Sequence, residues 1–411
     1  MMRSIAAWLS KRNPIAASTA FISMAALMLS VADVRLVAQT FTVLHTFNGG
    51  DGNYPTAGLI RDSAGNLYGT TGAGGNLGLG TVFKLSKAGL RVLYRFAGSP
   101  SDGAYPYGPL VRDAAGNFYG TTSRGGATDG GTVFKLDASG KETVLYNFVA
   151  NSSDGMLPSA GLIRDAAGNL FGTASSGGTY NGGIVFEVDS AGTETVLHNF
   201  AGGITDGTSP QSGLLLANGR LYGTTGVGGT FNLGTVFVLN KSLEKVVYNF
   251  ADAAGEFPAA GLIKDSRGNF YGTTQFGGNL DCNAPSSGCG TVFKLDANGN
   301  QTVLYSFLGS PDGDDPVAGL VLNKDGNLYG TTVYGGTGAC QDSPSGCGTI
   351  FKVDQNGKET VLFNFTGGTD GKFPFGGLVR DATGNLYGTA AQGGSGGCYT
   401  SGCGTVFKLT P

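Results

Sequence analysis

The chain repeats itself. N-L-Y-G-T, or a close variant, occurs at Asn66–Thr70, Asn117–Thr121, Asn169–Thr173, Arg220–Thr224, Asn269–Thr273, Asn327–Thr331 and Asn385–Thr389. Each copy precedes a G-T-V-F-K-L element opening at Gly80, Gly131, Gly183, Gly234, Gly290, Gly348 or Gly404, so the unit returns every 51 to 58 residues. A period near 50 with several short strands per unit is the signature of a β-propeller. Glycine contributes 74 of 411 residues without a Gly-x-y period, which excludes collagen. Aromatic and β-branched residues recur between the glycines, as short strands and tight turns require.

One unit shows the strands. From Pro106, Gly108–Val111 reads as a first strand, Asp113 to Gly116 as a turn, and Asn117–Thr122 as a second strand. A glycine-rich loop leads to a third strand, Gly131–Leu136, and a second Asp-x-x-Gly turn to a fourth, Thr143–Phe148. Four such strands form one antiparallel blade. The expected fold is therefore all-β: a seven-bladed β-propeller of four-stranded antiparallel blades. The frame of the repeat adds a closure. Residues 41–47 (F-T-V-L-H-T-F) match a fourth strand, whereas the last unit stops after its third, Gly404–Leu409. The N-terminal strand is expected to join the last blade, because an unclosed ring would expose an unpaired edge.

Residues 1–32 stand outside the repeat. Arg3, Lys11 and Arg12 precede an uncharged apolar stretch, Ile15 to Ala32, ending in the small-x-small site Ser30-Val31-Ala32. This reads as a secretory signal peptide, with an uncleaved membrane anchor as the alternative. The domains are then a signal peptide, 1–32, and a propeller, 33–411. Cleavage would take the net charge from −3 to −6. Nothing in the composition suggests a nucleic-acid partner. All six cysteines fall in the last three units, as Cys282/Cys289, Cys340/Cys347 and Cys398/Cys403, each pair bracketing the loop before G-T-V-F. Even number, local pairing and an export signal read as three disulfides. Zinc is the alternative, but C-x6-C and C-x4-C spacings on separate units differ from C-x2-C knuckles. A secreted or periplasmic location follows from both features.

In a meander the connections alternate between two ends. One end carries short, monotonous turns. The other carries longer, variable loops and all the cysteines, so it is the candidate binding face. Each loop into a first strand ends in x-Pro, and four of the seven x residues are aromatic: Tyr54, Tyr105, Phe257 and Phe373. Near the channel mouth these rings would stack on a sugar or aromatic ligand; packing beneath the loops is the competing role. Arg124 lies in the same loop set. The loops also carry Asp-Gly pairs at Asp51, Asp102, Asp154, Asp206, Asp312 and Asp370, with Ala254 in the fifth unit. No cofactor is expected; these carboxylates are the candidates for Ca²⁺, which takes oxygen ligands, but Asp-Gly is equally an ordinary turn pair. His45 and His198 occupy a slot that Tyr or Phe fills elsewhere and read as aromatic substitutes. That leaves no histidine base and no catalytic residue to name.

The pattern P-x-A-G-L-I-R-D-x-x-G-N-L-Y-G-T-T…G-T-V-F-K-L-D-x-x-G-x-E-T-V-L-Y-x-F, spanning residues 41–411, resembles the Gloeo/Verruco tandem-repeat family, bacterial exported proteins with repeats similar to kelch or NHL blades. The resemblance implies export and a propeller, and brings no activity or site residue with it. Members often carry a C-terminal anchoring module, whereas this chain stops at Pro411 after a strand. The function expected is non-enzymatic binding of a cell-envelope or extracellular ligand, a glycan or a surface protein, through the loop-rich face. The alternatives are a polysaccharide-acting hydrolase or lyase on the same scaffold, and a purely structural envelope protein. A membrane partner enters only if residues 1–32 stay attached.

Overall fold

The computed structural model describes residues 39–411 apart from 151–152, 242, 283–286, 339, 341–342, 344 and 399–400. The segment read as a signal peptide lies outside the described residues. Among them, no helix is long and apolar enough to cross a membrane.

Residues 40–411 form seven four-stranded antiparallel sheets, six of them with their strands in chain order. Blade two is typical: Val111–Arg112, Phe118–Thr122, Thr132–Leu136 and Glu142–Asn147. Blade seven is the exception that closes the ring. It takes Val379–Arg380, Leu386–Ala390 and Thr405–Thr410 from the C-terminus and Thr40–Thr46 from the N-terminus. Thr40 pairs with Thr410 and Thr46 with Thr405. Each fourth strand carries a bulge one residue before its Tyr/His/Phe slot, at Leu44 in blade seven and Leu145 in blade two. Such a bulge tightens the local twist.

The first strands are shorter than the sequence suggests: only Val111–Arg112 pairs in blade two, where Gly108–Val111 was expected. The reason lies at the axis. There the x-A-G-L segments of successive blades meet backbone to backbone. A Cβ on Gly108 would lie 2.7 Å from the Ala160 carbonyl oxygen, and one on Gly261 would lie 3.1 Å from the Gly213 carbonyl oxygen. These residues pack around the channel instead of joining a ladder.

Three contacts repeat at every junction between blades. The first threonine of G-T-T donates to a carbonyl on the next blade's inner segment, as in Thr121 to Ala160 O at 2.8 Å and Thr173 to Ser212 O at 3.0 Å. The phenylalanine ending each fourth strand meets the third-strand phenylalanine of the next blade edge to face, as in Phe148–Phe186 at 5.0 Å and Phe250–Phe293 at 5.1 Å. The glycine opening G-T-V-F lies under the next blade's x-Pro: a Cβ on Gly131 would sit 2.7 Å from Pro158 Cδ. The closing junction has all three, in Thr389 to Ala57 O at 3.2 Å, Phe47–Phe83 at 5.3 Å and Gly404 under Pro55. The apolar core is accordingly divided among the junctions; Val133, Phe148, Leu162, Leu170, Ile184 and Phe186 form one such cluster. A pair of edge-to-face rings adds roughly 0.5–1.5 kcal/mol beyond the area it buries.

Candidate binding site at the channel mouth

Two structures set the loop-rich end. First, each loop entering a blade pairs with the loop between that blade's second and third strands, at Asn53–Ala73, Ala104–Arg124, Met156–Ser176, Thr208–Val227, Glu256–Phe276, Asp314–Tyr334 and Lys372–Gln392. Second, disulfides Cys282–Cys289, Cys340–Cys347 and Cys398–Cys403 tie the second of these loops down in blades five to seven, with Cα separations of 6.1, 5.3 and 5.1 Å. The sulfurs replace a core contact, since Cys340 and Cys347 pack with Phe365 and Cys403 with Phe47.

The residue before proline takes positive φ in all seven blades, from 54° at Phe257 to 61° at Tyr54. Non-glycine residues rarely adopt this region, but here it belongs to the repeat and not to one site. It turns the chain so that the residue after proline lines the central opening. That rim comprises Thr56, Tyr107, Ser159, Gln211, Ala259, Val317 and Phe375, around a cavity of about 380 Å³ floored by the x-A-G-L segments.

The structure places the four aromatic residues singled out before proline just behind this rim, all half-buried. Tyr54 lies 6.1 Å from Phe375, Tyr105 lies 6.4 Å from Tyr107 and nearly parallel to it, and Phe373 lies 5.3 Å from Tyr334. They therefore form an arc over blades six, seven, one and two. Phe257 stands apart from the arc, beside Phe276 at 6.3 Å. Tyr107, 38% exposed, presents the most open ring; it lies across Gly72, where any Cβ would come within 2.4 Å of it. Burial raises the Tyr54 and Tyr107 hydroxyls above the ordinary tyrosine range, and neighbouring tyrosines add to it. Arg124 lies outside the arc on the blade-two loop, half-exposed and paired with Asp129 at 3.3 Å.

The rim is polar at Ser159 and Gln211 of blades three and four, and a carboxylate stands at the blade-six end of the arc, beside Tyr334. Asp315 fills the slot before proline in blade six, takes a hydrogen bond from Gln275 Nε2 at 3.2 Å, and adjoins the buried Asp314. Burial, with Asp314 beside it, pushes the Asp315 carboxyl up to about 6, against the effect of Gln275. Sequence reasoning missed this carboxylate and the whole post-proline rim. The available signal was the Asp-Asp-Pro of blade six, where four other blades have Tyr-Pro or Phe-Pro and the remaining two Leu-Pro and Ser-Pro.

The six Asp-Gly carboxylates sit elsewhere, one per junction, against the outer strands. Each caps backbone N–H groups of its own loop, as Asp102 does for Ala97 at 2.6 Å and Asp370 for Thr366 at 2.8 Å. Tyr94 donates to Asp102 at 2.8 Å, Tyr146 to Asp154 at 2.7 Å, and Tyr305 to Asp312. His45 meets Asp51 at 2.9 Å and His198 meets Asp206 at 3.4 Å, so the histidines take the tyrosine's polar position as well as its packing. A glutamate from the following blade completes four junctions. Burial, with the aspartate nearby, pushes Glu142, Glu194, Glu244 and Glu359 up to about 7, and each has a buried Oε1 without a hydrogen-bond partner. Where the aspartate is lost, at Ala254, the glutamate becomes Gln301; where the tyrosine becomes Phe363, it becomes Phe41, stacked on Phe363 at 3.8 Å.

A groove of about 350 Å³ opens at the opposite, short-turn end between blades five and six, beside Arg267, Lys324 and Asp354. Its aspartates are engaged in their own turns, as Asp265 is with Asn269 at 2.8 Å and Asp354 with Asn356 at 2.8 Å. The mouth combines an exposed ring, Tyr107, and half-buried rings with side chains that differ from blade to blade.

The propeller has solved counterparts. Virginiamycin B lyase from Staphylococcus aureus is 13% identical with a TM-score of 0.58, over 91% of this chain and 99% of that one. Two structures of the extracellular domain of BT4673 from B. thetaiotaomicron, described as a putative one-component and a putative hybrid two-component system, are 9% identical. Their TM-scores are 0.56 and 0.58, and the match covers 90% of this chain but only 40% and 39% of those. At such identities the likeness is one of fold. No curated protein sequence matches the chain. The profile of the Gloeobacter/Verrucomicrobia repeat matches residues 30–166, 149–341 and 283–411. With that profile covering every blade, the chain belongs to the Gloeobacter/Verrucomicrobia repeat family.

Proposed function

We propose that the protein is an exported, non-enzymatic propeller that binds a cell-envelope or extracellular glycan at its loop-rich mouth. The observation that carries this reading is the aromatic arc, with Tyr107 as its exposed ring, together with the polar Ser159 and Gln211 of the remaining rim and Asp315 at the arc's blade-six end. Sugars present apolar C–H faces that stack on rings and hydroxyls that pair with amides and carboxylates, so an amphipathic mouth suits them. Export is supported by the disulfides, which persist in oxidising compartments, and by the signal-like residues 1–32. The test is a binding screen of residues 33–411 against a polysaccharide and glycan panel. A hit weakened about tenfold or more by Tyr107→Ala and Tyr54→Ala supports the reading. A panel without a hit, or a hit indifferent to both substitutions, contradicts it and favours a protein ligand.

A second reading, a polysaccharide-acting hydrolase, rests on Asp315, a carboxyl poised near 6 beside Asp314 at the same mouth. Groups tuned toward neutrality in a cleft are general acid–base candidates. Release of new sugar ends from a bound glycan, abolished by Asp315→Asn, would establish it. Binding without turnover would leave the first reading standing.

A further inference from the structure

We propose that His198, Asp206 and Glu244 form a site for a divalent transition metal, filled by zinc, that clamps blade three to blade four. His198 comes from the outer strand of blade three, Asp206 from the loop between the blades, and Glu244 from the outer strand of blade four. One ligand atom from each lies within 4.8 Å of the other two. One imidazole and two carboxylates are donors that zinc accepts, at roughly 2.0–2.2 Å, with a further position left for water.

Comparison among the junctions singles this one out. At three others a tyrosine hydroxyl donates to the aspartate, giving no third metal ligand. At the closing junction His45 is present, but Leu90 replaces the glutamate, and His45 Nε2 makes a hydrogen bond to Asp51 at 2.9 Å. At the third junction histidine, aspartate and glutamate coincide, and the histidine stands farther from its aspartate than His45 does from Asp51. His198 Nε2 stands 3.4 Å from Asp206 Oδ2 in a geometry that makes no hydrogen bond. This Nε2 is buried without a hydrogen-bond partner, and so is Glu244 Oε1. A buried polar atom left without a hydrogen bond keeps its full desolvation penalty, and here two lie beside one carboxylate. An unpartnered glutamate oxygen is common to four junctions; the second orphan, a nitrogen able to ligate, is found among the described residues only here. Asp206 is already oriented for the role, since Ala201 N donates to its Oδ2 at 2.7 Å and Gly207 N to its Oδ1 at 2.7 Å. Outer hydrogen bonds of this kind hold a ligand in place.

The experiment uses the full chain, untagged, stripped with chelator and titrated with zinc chloride. Two readouts are taken: zinc retained after gel filtration and the melting temperature. The expected result is one zinc per chain with a raised melting temperature. His198→Tyr, which installs the residue of the neighbouring junctions and lets its hydroxyl meet Asp206, should retain no zinc and melt independently of it. Glu244→Gln should weaken zinc binding at least tenfold, and it decides the matter if His198→Tyr does not fold. Failure to retain zinc, equal retention by wild type and Glu244→Gln, or an equal response to calcium alone would overturn the assignment.

Discussion

At the residue scale, the repeat shows which side chains act as a set. At a junction the glutamate slot changes when one of its partners does, as Phe41 facing Phe363 and Gln301 facing Ala254 show. The histidines were legible as tyrosine substitutes because seven aligned slots expose an exception; their aspartate partners were not, because Asp-Gly in sequence is an ordinary turn. The glutamates make a pH prediction. Glu142 faces Asp102 and Tyr94, Glu194 faces Asp154 and Tyr146, and Glu359 faces Asp312 and Tyr305. Their folded values, about 7, lie above the ordinary glutamate value of 4.5. The folded state therefore holds protons that the unfolded chain releases. This contribution is complete below the unfolded value and is lost as pH rises through 7. The metal-free protein should melt at a higher temperature at pH 5.5 than at pH 8, by differential scanning calorimetry. Replacing all three by glutamine, the residue nature uses at 301, should flatten that dependence. A melting temperature that rises from pH 5.5 to 8 would count against this picture.

At the element scale, the strand Thr40–Thr46 is the one without a sequence neighbour in its own blade. Its role was readable because the seventh unit lacks a fourth strand and the N-terminus supplies one. The ending phenylalanine, Phe47, is fully buried against Phe83. Phe47→Ala should cost roughly 3–5 kcal/mol, as a large-to-small change in a packed core does, measured by denaturant unfolding. Deleting residues 33–47 should lower the stability of the whole ring; an unchanged melting temperature would refute closure. The closing junction makes the same three contacts as the others, so Thr389→Val and Thr121→Val should each cost about 1 kcal/mol. First strands were harder to read. An apolar run says that a segment is buried, not whether it pairs in a sheet or packs on neighbouring backbone at an axis.

At the scale of the whole molecule, seven near-identical units produce one face that is not uniform. The framework repeats because every junction needs the same threonine, glycine, proline and phenylalanine. The post-proline rim is free of that demand, which is why it runs from Ala259 to Tyr107 and Phe375. Sequence reasoning named the prolines and the residue before each, whereas the rim residues stand two positions later, after the proline. Which neighbour of a proline faces the axis depends on the backbone turn before it, and positive φ at seven non-glycine residues is not written in their identity.

The most direct measurement is calorimetric titration of the best-binding glycan into wild type, Tyr107→Ala, and a short-turn-end double substitution, Arg267→Ala with Lys324→Ala. Recognition at the mouth predicts an affinity at least about tenfold weaker for Tyr107→Ala, a step of roughly 1.4 kcal/mol, and one unchanged for the double variant. Loss in the double variant with full affinity in Tyr107→Ala would place binding at the opposite end and contradict the account.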